Sequence, residues 1–233
     1  MFDIKPRIRD PRRVITTVYF NQQELIQNIL VLHNKNLPIH LDITYNKGGM
    51  WTGIPGPGIK TDIKPVDNGT MPADSKGLPF KNNTIKSVMF DPPFLADARQ
   101  ARMARRYGVF ENINELMSMY SQSIKEIYRV LTFKGLLIFK CQDTAYNHKN
   151  IFLNYFIMEK ALETGLDLND VFILVNDNFI LQWNLEKQEH ARKTHCYFLI
   201  FKKPVPRPCR KIVFSGKQGR SGSAVIVAPN FKK

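Results

Sequence analysis

Four stretches of this chain are apolar almost without interruption: IKSVMF (85–90), LLIFK (136–140), DVFILV (170–175) and HCYFLIF (195–201). A strand with one wet face alternates apolar and polar side chains, whereas a strand covered on both faces need not. The runs are short and rich in β-branched and aromatic residues, which favours strands over core helices. Segments of a different period lie between them. Residues 22–34, QQELIQNILVLHN, place apolar groups at 25, 26, 29, 30 and 32, the spacing of a helix with one buried face. Residues 112–132, NINELMSMYSQSIKEIYRVLT, repeat that period behind an Asn, with Lys134-Gly135 just past the end. Residues 148–164 read as a third helix, stopping at Gly165.

Two shorter β-type runs, LPIHLDITY (37–45) and GIKTDI (58–63), flank a Gly/Pro-rich loop, KGGMWTGIPGPG, and residues 64–77 are polar and irregular. Helices alternating with continuous apolar strands imply an α/β fold with a mostly parallel sheet covered on both faces. The last strand, HCYFLIF, has no helix before it. Ligands in such sheets bind outside the carboxyl ends of the strands. Asp42, Asp62 and Asp91 each fall at such an end.

With 233 residues, 43% of them hydrophobic, the chain can build one sizeable core and is short for two full domains. No stretch of 18 or more apolar residues exists, so no membrane span is expected. The first residues, MFDIKPRIRDPRR, are charged with no apolar run behind them, unlike a secretory signal. Cys141, Cys196 and Cys209 are far apart and form no C-x-x-C pair, which suggests a reducing, cytoplasmic setting and no metal site. Cys141 and Cys196 read as small core residues.

Lysines and arginines number 34 against 20 acids, a net charge of +14. The excess is uneven: residues 202–233 hold nine basic side chains and no acid, and residues 98–107, ARQARMARRY, hold four arginines. Such a field attracts polyanions, nucleic acid first among them; charge alone fits a soluble protein with a disordered tail equally well. The chain turns to PVPRP and then Gly/Ser-rich after Lys203, which divides it into a domain over 1–203 and a basic tail over 204–233. Within the tail, KIVF and AVIV could pair as a hairpin.

One run stops abruptly, at VMFDPPF (88–94). An isolated Asp-Pro step is more often a turn than a site. Asp91-Pro92-Pro93-Phe94, however, resembles motif IV of the S-adenosylmethionine-dependent amino-methyltransferases: Asp, Asn or Ser, then Pro-Pro, then an aromatic residue. The chemistry accounts for these residue types. An exocyclic amine on a base has its lone pair delocalised into the ring and is a poor nucleophile. An Asp91 oxygen and the Pro92 carbonyl can each accept one N–H, favouring a tetrahedral nitrogen whose lone pair faces the methyl donor. The prolines fix φ and stiffen the loop before substrate arrives. Phe94 offers a flat face for the base. Positioning is the main task, because the sulfonium is already electrophilic.

The cofactor half of the resemblance lies upstream. LDITYNKGGMW (41–51) looks like the D-x-T-Y-G-x-G-x-F/W form of a branch of adenine-specific DNA methyltransferases, with Asn46 where that branch usually has Gly. Asn is among the residues that best tolerate positive φ. The resemblance implies that Asp42, Thr44, Tyr45, Gly48 and Gly49 surround the methionine moiety, with Gly48 and Gly49 allowing close backbone approach. Asp62, twenty residues after Asp42, would accept from the ribose hydroxyls; a solvated loop acid is the equal alternative. In ADSKGLPFKNNTIKSVMFDPPF (73–94), Asp74 would meet the cofactor's adenine amine, and Leu78 and Phe80 would wall that pocket.

The likeness covers roughly residues 20–203 and implies a Rossmann-like class I methyltransferase fold, mostly parallel with a late antiparallel strand. The implied activity is transfer of a methyl group from S-adenosylmethionine to adenine N6 in flipped-out DNA. Arg99, Arg102, Arg105 and Arg106 follow DPPF directly and would contact phosphates beside the extruded nucleotide. His190 and Lys193, ahead of the late strand, would add to that surface. Two alternatives stay open: an RNA methyltransferase acting on adenine N6 or guanine N2, and an inactive nucleic-acid-binding protein on the same fold. The chain lacks a large insert for reading long sites, so a short recognition sequence, loose specificity or a specificity partner is expected; homodimerisation is undetermined.

Overall fold

The computed structural model describes residues 14–95, 110, 112–176 and 190–206. The arginines at 99, 102, 105 and 106, and the KIVF and AVIV segments, lie outside the described residues. Among the described residues the strands are β1 (Val18–Tyr19), β2 (Leu41–Asp42), β3 (Ile59–Asp62), β4 (Met71–Pro72), β5 (Ile85–Phe90), β6 (Leu131–Cys141), β7 (Thr144–Tyr146), β8 (Lys149–Ile151), β9 (Asp167–Val175) and β10 (His195–Lys202). The helices are α1 (Gln22–His33), α2 (Ile113–Val130) and α3 (Leu153–Thr164).

Eight strands form one sheet in the order β1-β9-β10-β6-β5-β2-β3-β4. β2, β3, β4, β5 and β6 pair in parallel, and β1 is parallel to β9. β10 is antiparallel to both β6 and β9, between which it is inserted. The mostly parallel Rossmann-like sheet and its late antiparallel strand are therefore both present.

The apolar runs are continuous because both sheet faces are covered. Side chains alternate across a strand. Val88, Phe90, Leu137, Phe139, Leu199 and Phe201 pack with α2 and α3 residues such as Leu116, Tyr120, Ile124 and Ile157. Their neighbours Met89, Leu136, Ile138, Phe198 and Ile200 pack on the other face with Leu25, Ile26, Ile29 and Leu30 of α1. Phe139 meets Phe90 and Tyr120 edge-on, with ring centroids 4.8 and 5.5 Å apart. The helices start where short polar side chains can satisfy unpaired N–H groups: Asn21 accepts from Glu24 N at 2.8 Å, and Asn112 from Glu115 N at 3.0 Å.

Some local expectations need correction. The third helix begins at Leu153, not at 148, because residues 144–151 form the β7–β8 hairpin. Asn147 and His148, at φ 46° and 60°, make the left-handed two-residue turn that suits the twist of a hairpin. The second helix ends at Val130, and the chain continues directly into β6. Lys134-Gly135 is then a bend inside that strand. A Cβ at Gly135 would lie 2.7 Å from Thr132 O and 3.2 Å from Lys86 O, so only glycine fits. Of LPIHLDITY only Leu41–Asp42 is regular strand, although Ile43 N still donates to Met89 O at 3.1 Å.

Candidate active site

The order of the strands locates the site. From β2 the chain moves outward through β3 and β4, then returns to lay β5 against the other side of β2. The β2/β5 boundary is the topological switch point, where a crevice opens at the strands' carboxyl ends. Asp42 pairs with Lys60 on one side and Met89 on the other. Asp62 and Asp91 therefore each stand two residues beyond its level, on the two flanking strands, roughly 10 Å apart by strand spacing.

Asp42 is buried, 2% exposed. Its Oδ2 accepts from the Trp51 indole Nε1 at 2.7 Å and its Oδ1 from Thr44 N at 2.9 Å. Burial pushes its carboxyl up to about 7; the bonds from Thr44 and Trp51 oppose the rise, and the charges of Asp91 and Asp62 add to it. All three acids thus act on one small region. In the unfolded chain this group ionises near pH 4. Between pH ~4 and ~7 the unfolded chain has released the proton while the folded chain keeps it, so Asp42's contribution to stability falls as pH rises through that window. Asp42→Asn is costly throughout, because an amide NH₂ must face one of two donors. Its deficit relative to wild type is expected to shrink between pH 5 and pH 8, read from urea midpoints; a constant deficit would contradict the assignment.

Thr44 joins the cofactor-side loop to the motif. Its N–H bonds Asp42, and its Oγ1 accepts from Asp91 N at 2.8 Å. On the other side of the loop, Asp62 accepts from Asn46 N at 2.9 Å and Lys64 N at 2.8 Å. Asn46 has φ 49°, so it adopts the left-handed conformation that the related pattern assigns to glycine. Gly48 is also left-handed, at φ 68°, and a Cβ there would clash with the Tyr45 hydroxyl. Tyr45 lies under the Lys60 ammonium, 4.7 Å from its ring centroid. Around Gly49 a Cβ would meet nothing within 4 Å, so the turn leaves room for a ligand on that side.

Asp91 is partly exposed, at 27%, and its Oδ2 accepts from Lys140 Nζ at 3.0 Å. Lys140, on neighbouring β6, is 16% exposed. Behind the motif, the buried Tyr120 hydroxyl donates to Pro93 O at 2.6 Å. Phe94 is half-buried and packs against the core on the α2 side.

Further from the switch point, Asp74 accepts from Lys76 N at 2.9 Å and pairs with its ammonium at 3.4 Å, 42% exposed. Leu78 is 4% exposed and belongs to the core, with Phe80 packed against it. Their loop is clamped to α2: Glu126 accepts from Leu78 N at 2.8 Å, and Arg129 donates to Leu78 O at 3.0 Å and Phe80 O at 2.8 Å. His190 and Lys193 brace the β7–β8 hairpin, through His148 O at 2.8 Å and Asn150 Oδ1 at 3.1 Å. Cys141 is buried and Cys196 half-buried. An open groove of about 520 Å³, lined by Ser121, Lys125, Lys160, Glu163 and Thr164, lies on α2 and α3, towards the end of α3 that leads into β9 and away from the acids.

Trp51, Lys140, Tyr120 and the Glu126–Arg129 clamp are the site-building residues that sequence reasoning did not single out. A lysine closing the apolar run LLIFK was the visible signal for one of them.

No family model and no curated protein matches the chain. Among solved structures it is similar to a candidate DNA modification methylase from Thermus thermophilus, solved with S-adenosyl-L-methionine (18% identity, TM-score 0.43, covering 59% of this chain and 57% of that one). It is also similar to the cytosine-N4-specific PvuII DNA methyltransferase (18% identity, TM-score 0.44, 56% and 47% covered). The [4+2]-cyclase SpnF gives 14% identity and TM-score 0.48, with 79% and 84% covered. The chain thus spans little more than half the length of the Thermus methylase. The fold is Rossmann-like, on its own strand order and directions. No described helix is long and apolar enough to cross a membrane.

Proposed function

We propose that this chain is an S-adenosylmethionine-dependent methyltransferase acting on the exocyclic N6 amine of adenine in DNA. The observation that carries the reading is the position of Asp91-Pro92-Pro93-Phe94: at the switch point, tied through Thr44 to the buried Asp42. The residues fit the cofactor. Asp62 keeps acceptor capacity for ribose hydroxyls, since two N–H donors use only part of a carboxylate's roughly four sites. Asn46 and Gly48 shape the turn, Gly49 leaves it open, and Asp42 sits beneath with Thr44 and Tyr45. Asp74, Leu78 and Phe80 would border the adenine end. When bound, the cofactor supplies an electrophilic methyl group on a sulfonium.

The chain's own residues do the positioning. One Asp91 oxygen is held by Lys140, and the carboxylate's remaining sites accept an N–H of the target amine. The Pro92 carbonyl accepts the other. Phe94, backed by the core, limits where the base plane can lie. Arg99, Arg102, Arg105, Arg106, His190 and Lys193 are proposed to meet phosphates. We place the catalytic domain at 1–203, the basic tail at 204–233, and the protein in the cytoplasm. Methyl incorporation from labelled donor into duplex DNA, single-stranded DNA and RNA tests the reading: label in DNA supports it, label confined to RNA moves the substrate, and none in any abandons it.

Lys140 yields a further expectation. Lys140→Met removes the group that directs the Asp91 carboxylate, and a small misplacement of a positioning group can cost about 100-fold. Turnover is expected to fall by roughly that factor while KM for DNA moves little, with partial recovery in Lys140→Arg. An equal loss in binding would show that Lys140 is a substrate contact instead.

A further inference from the structure

The β7–β8 hairpin begins four residues after Lys140, the partner of Asp91, and leads into the first turn of α3. Two large aromatic side chains stand out of the surface there: Phe152 is 58% exposed and Tyr155 65%. They stand three residues apart, Phe152 at the N-cap of α3 and Tyr155 in its first turn. Lys149 is exposed in the same hairpin. Residues 144–158 contain no acid, and neither do residues 190–206, whose His190 and Lys193 are bonded to the hairpin. Of the flanking acids, Asp143 is buried, its Oδ1 accepting from Asn154 N at 3.1 Å, and Glu159, one turn beyond Tyr155, pairs with the Lys160 ammonium at 3.6 Å.

We infer that Phe152, Tyr155 and Lys149 form a platform that grips single-stranded nucleic acid next to Asp91. Every base has a flat face that stacks on an aromatic ring, and each phosphate seeks a cation; a braced, acid-free hairpin leading into exposed rings provides both. The inference rests on the proposed function in one respect: a strand held here would lead to the motif.

The test is fluorescence anisotropy with a labelled single-stranded oligodeoxyadenylate of about 20 nucleotides, long enough to cover such a platform. Phe152→Ala/Tyr155→Ala is expected to weaken binding about tenfold or more. Lys149→Gln should lower the slope of log K against log salt by about 0.7. Leu162→Ala, an exposed residue near the other end of α3, should change nothing. Wild-type-like affinity in the double variant would overturn the platform and leave the methyltransferase reading standing. Failure of the wild-type chain to bind any nucleic acid would remove both. Self-association of the wild type that is lost in the double variant, with oligonucleotide binding unchanged, would assign the face to a second copy and overturn the proposal.

Discussion

Asp91→Ala is expected to reduce methyl transfer by roughly 100- to 1000-fold, the usual effect of deleting one preorganised hydrogen-bonding group at a reacting centre. The reason is geometric. Asp91 stands at the carboxyl end of β5, its backbone N–H fixed by Thr44 and its carboxylate by Lys140. The side chain is therefore aimed before substrate arrives, and its removal costs the reaction more than it costs binding. Nucleic-acid affinity, set by basic and aromatic surfaces elsewhere, should stay within about threefold, since one lost base-edge contact is small beside many phosphate contacts. Asp91→Ala also leaves Lys140 largely buried with its carboxylate partner gone, so thermal stability must be measured in parallel. Asp91→Asn preserves shape and one acceptor, and is expected to keep more activity than the alanine variant. Full turnover in Asp91→Ala would remove Asp91 from the mechanism.

The largest stability effect is expected from Lys203→Met. Lys203 is 4% exposed, and its ammonium donates to Tyr128 O at 2.6 Å, Asn83 Oδ1 at 2.7 Å and Leu131 O at 2.9 Å. Tyr128 and Leu131 lie at the C-terminal end of α2, where carbonyls lack helical partners and the dipole favours a cation. Burial lowers the lysine's pKa, but all three partners are acceptors, so the charged form is the one they hold. Rings of Tyr128 and Phe133 cover the ammonium, with centroids 4.3 and 5.3 Å away. Methionine fills the space yet leaves three oxygens without a donor, at about 1–3 kcal/mol for each buried group left unpaired. A total near 3 kcal/mol would lower Tm by roughly 6–12 °C for a chain of this size. Activity per folded molecule at low temperature should be retained. A Tm unchanged within about 2 °C would show that these bonds are replaced by water.

Lys203 also shows how far a sequence can be read. The change to PVPRP just after it is plain in the sequence, but not its bond to Asn83, 120 residues earlier. The Lys140–Asp91 pair spans 49 residues and was hidden for the same reason. Local signals did better. β5 appears at its expected bounds because its end, Val88–Phe90, is apolar and buried on both faces, and α1 and α2 start at asparagines that accept from their first turns. β1 and β4 have two residues each, too few for any period to register. The β7–β8 hairpin turns on Asn147-His148, a pair without the usual glycine, and was absorbed into the following helix. At the site, the three strand-end acids and the DPPF loop were legible because their residue types follow from chemistry. Tyr120 holds that loop at Pro93 O and Trp51 holds Asp42, through side-chain contacts that only the folded chain creates.

The central claim is that two fixed oxygen acceptors prepare an exocyclic amine for methylation. The most direct measurement is mass spectrometry of nucleosides from duplex DNA incubated with the chain and a donor carrying a deuterated methyl group. The account predicts deuterated methyl on the N6 nitrogen of deoxyadenosine, formed roughly 100-fold or more slowly when Asp91→Ala replaces the wild-type chain. A methyl group on a ring nitrogen or ring carbon, where Asp91 and the Pro92 carbonyl would have no N–H to hold, would contradict it.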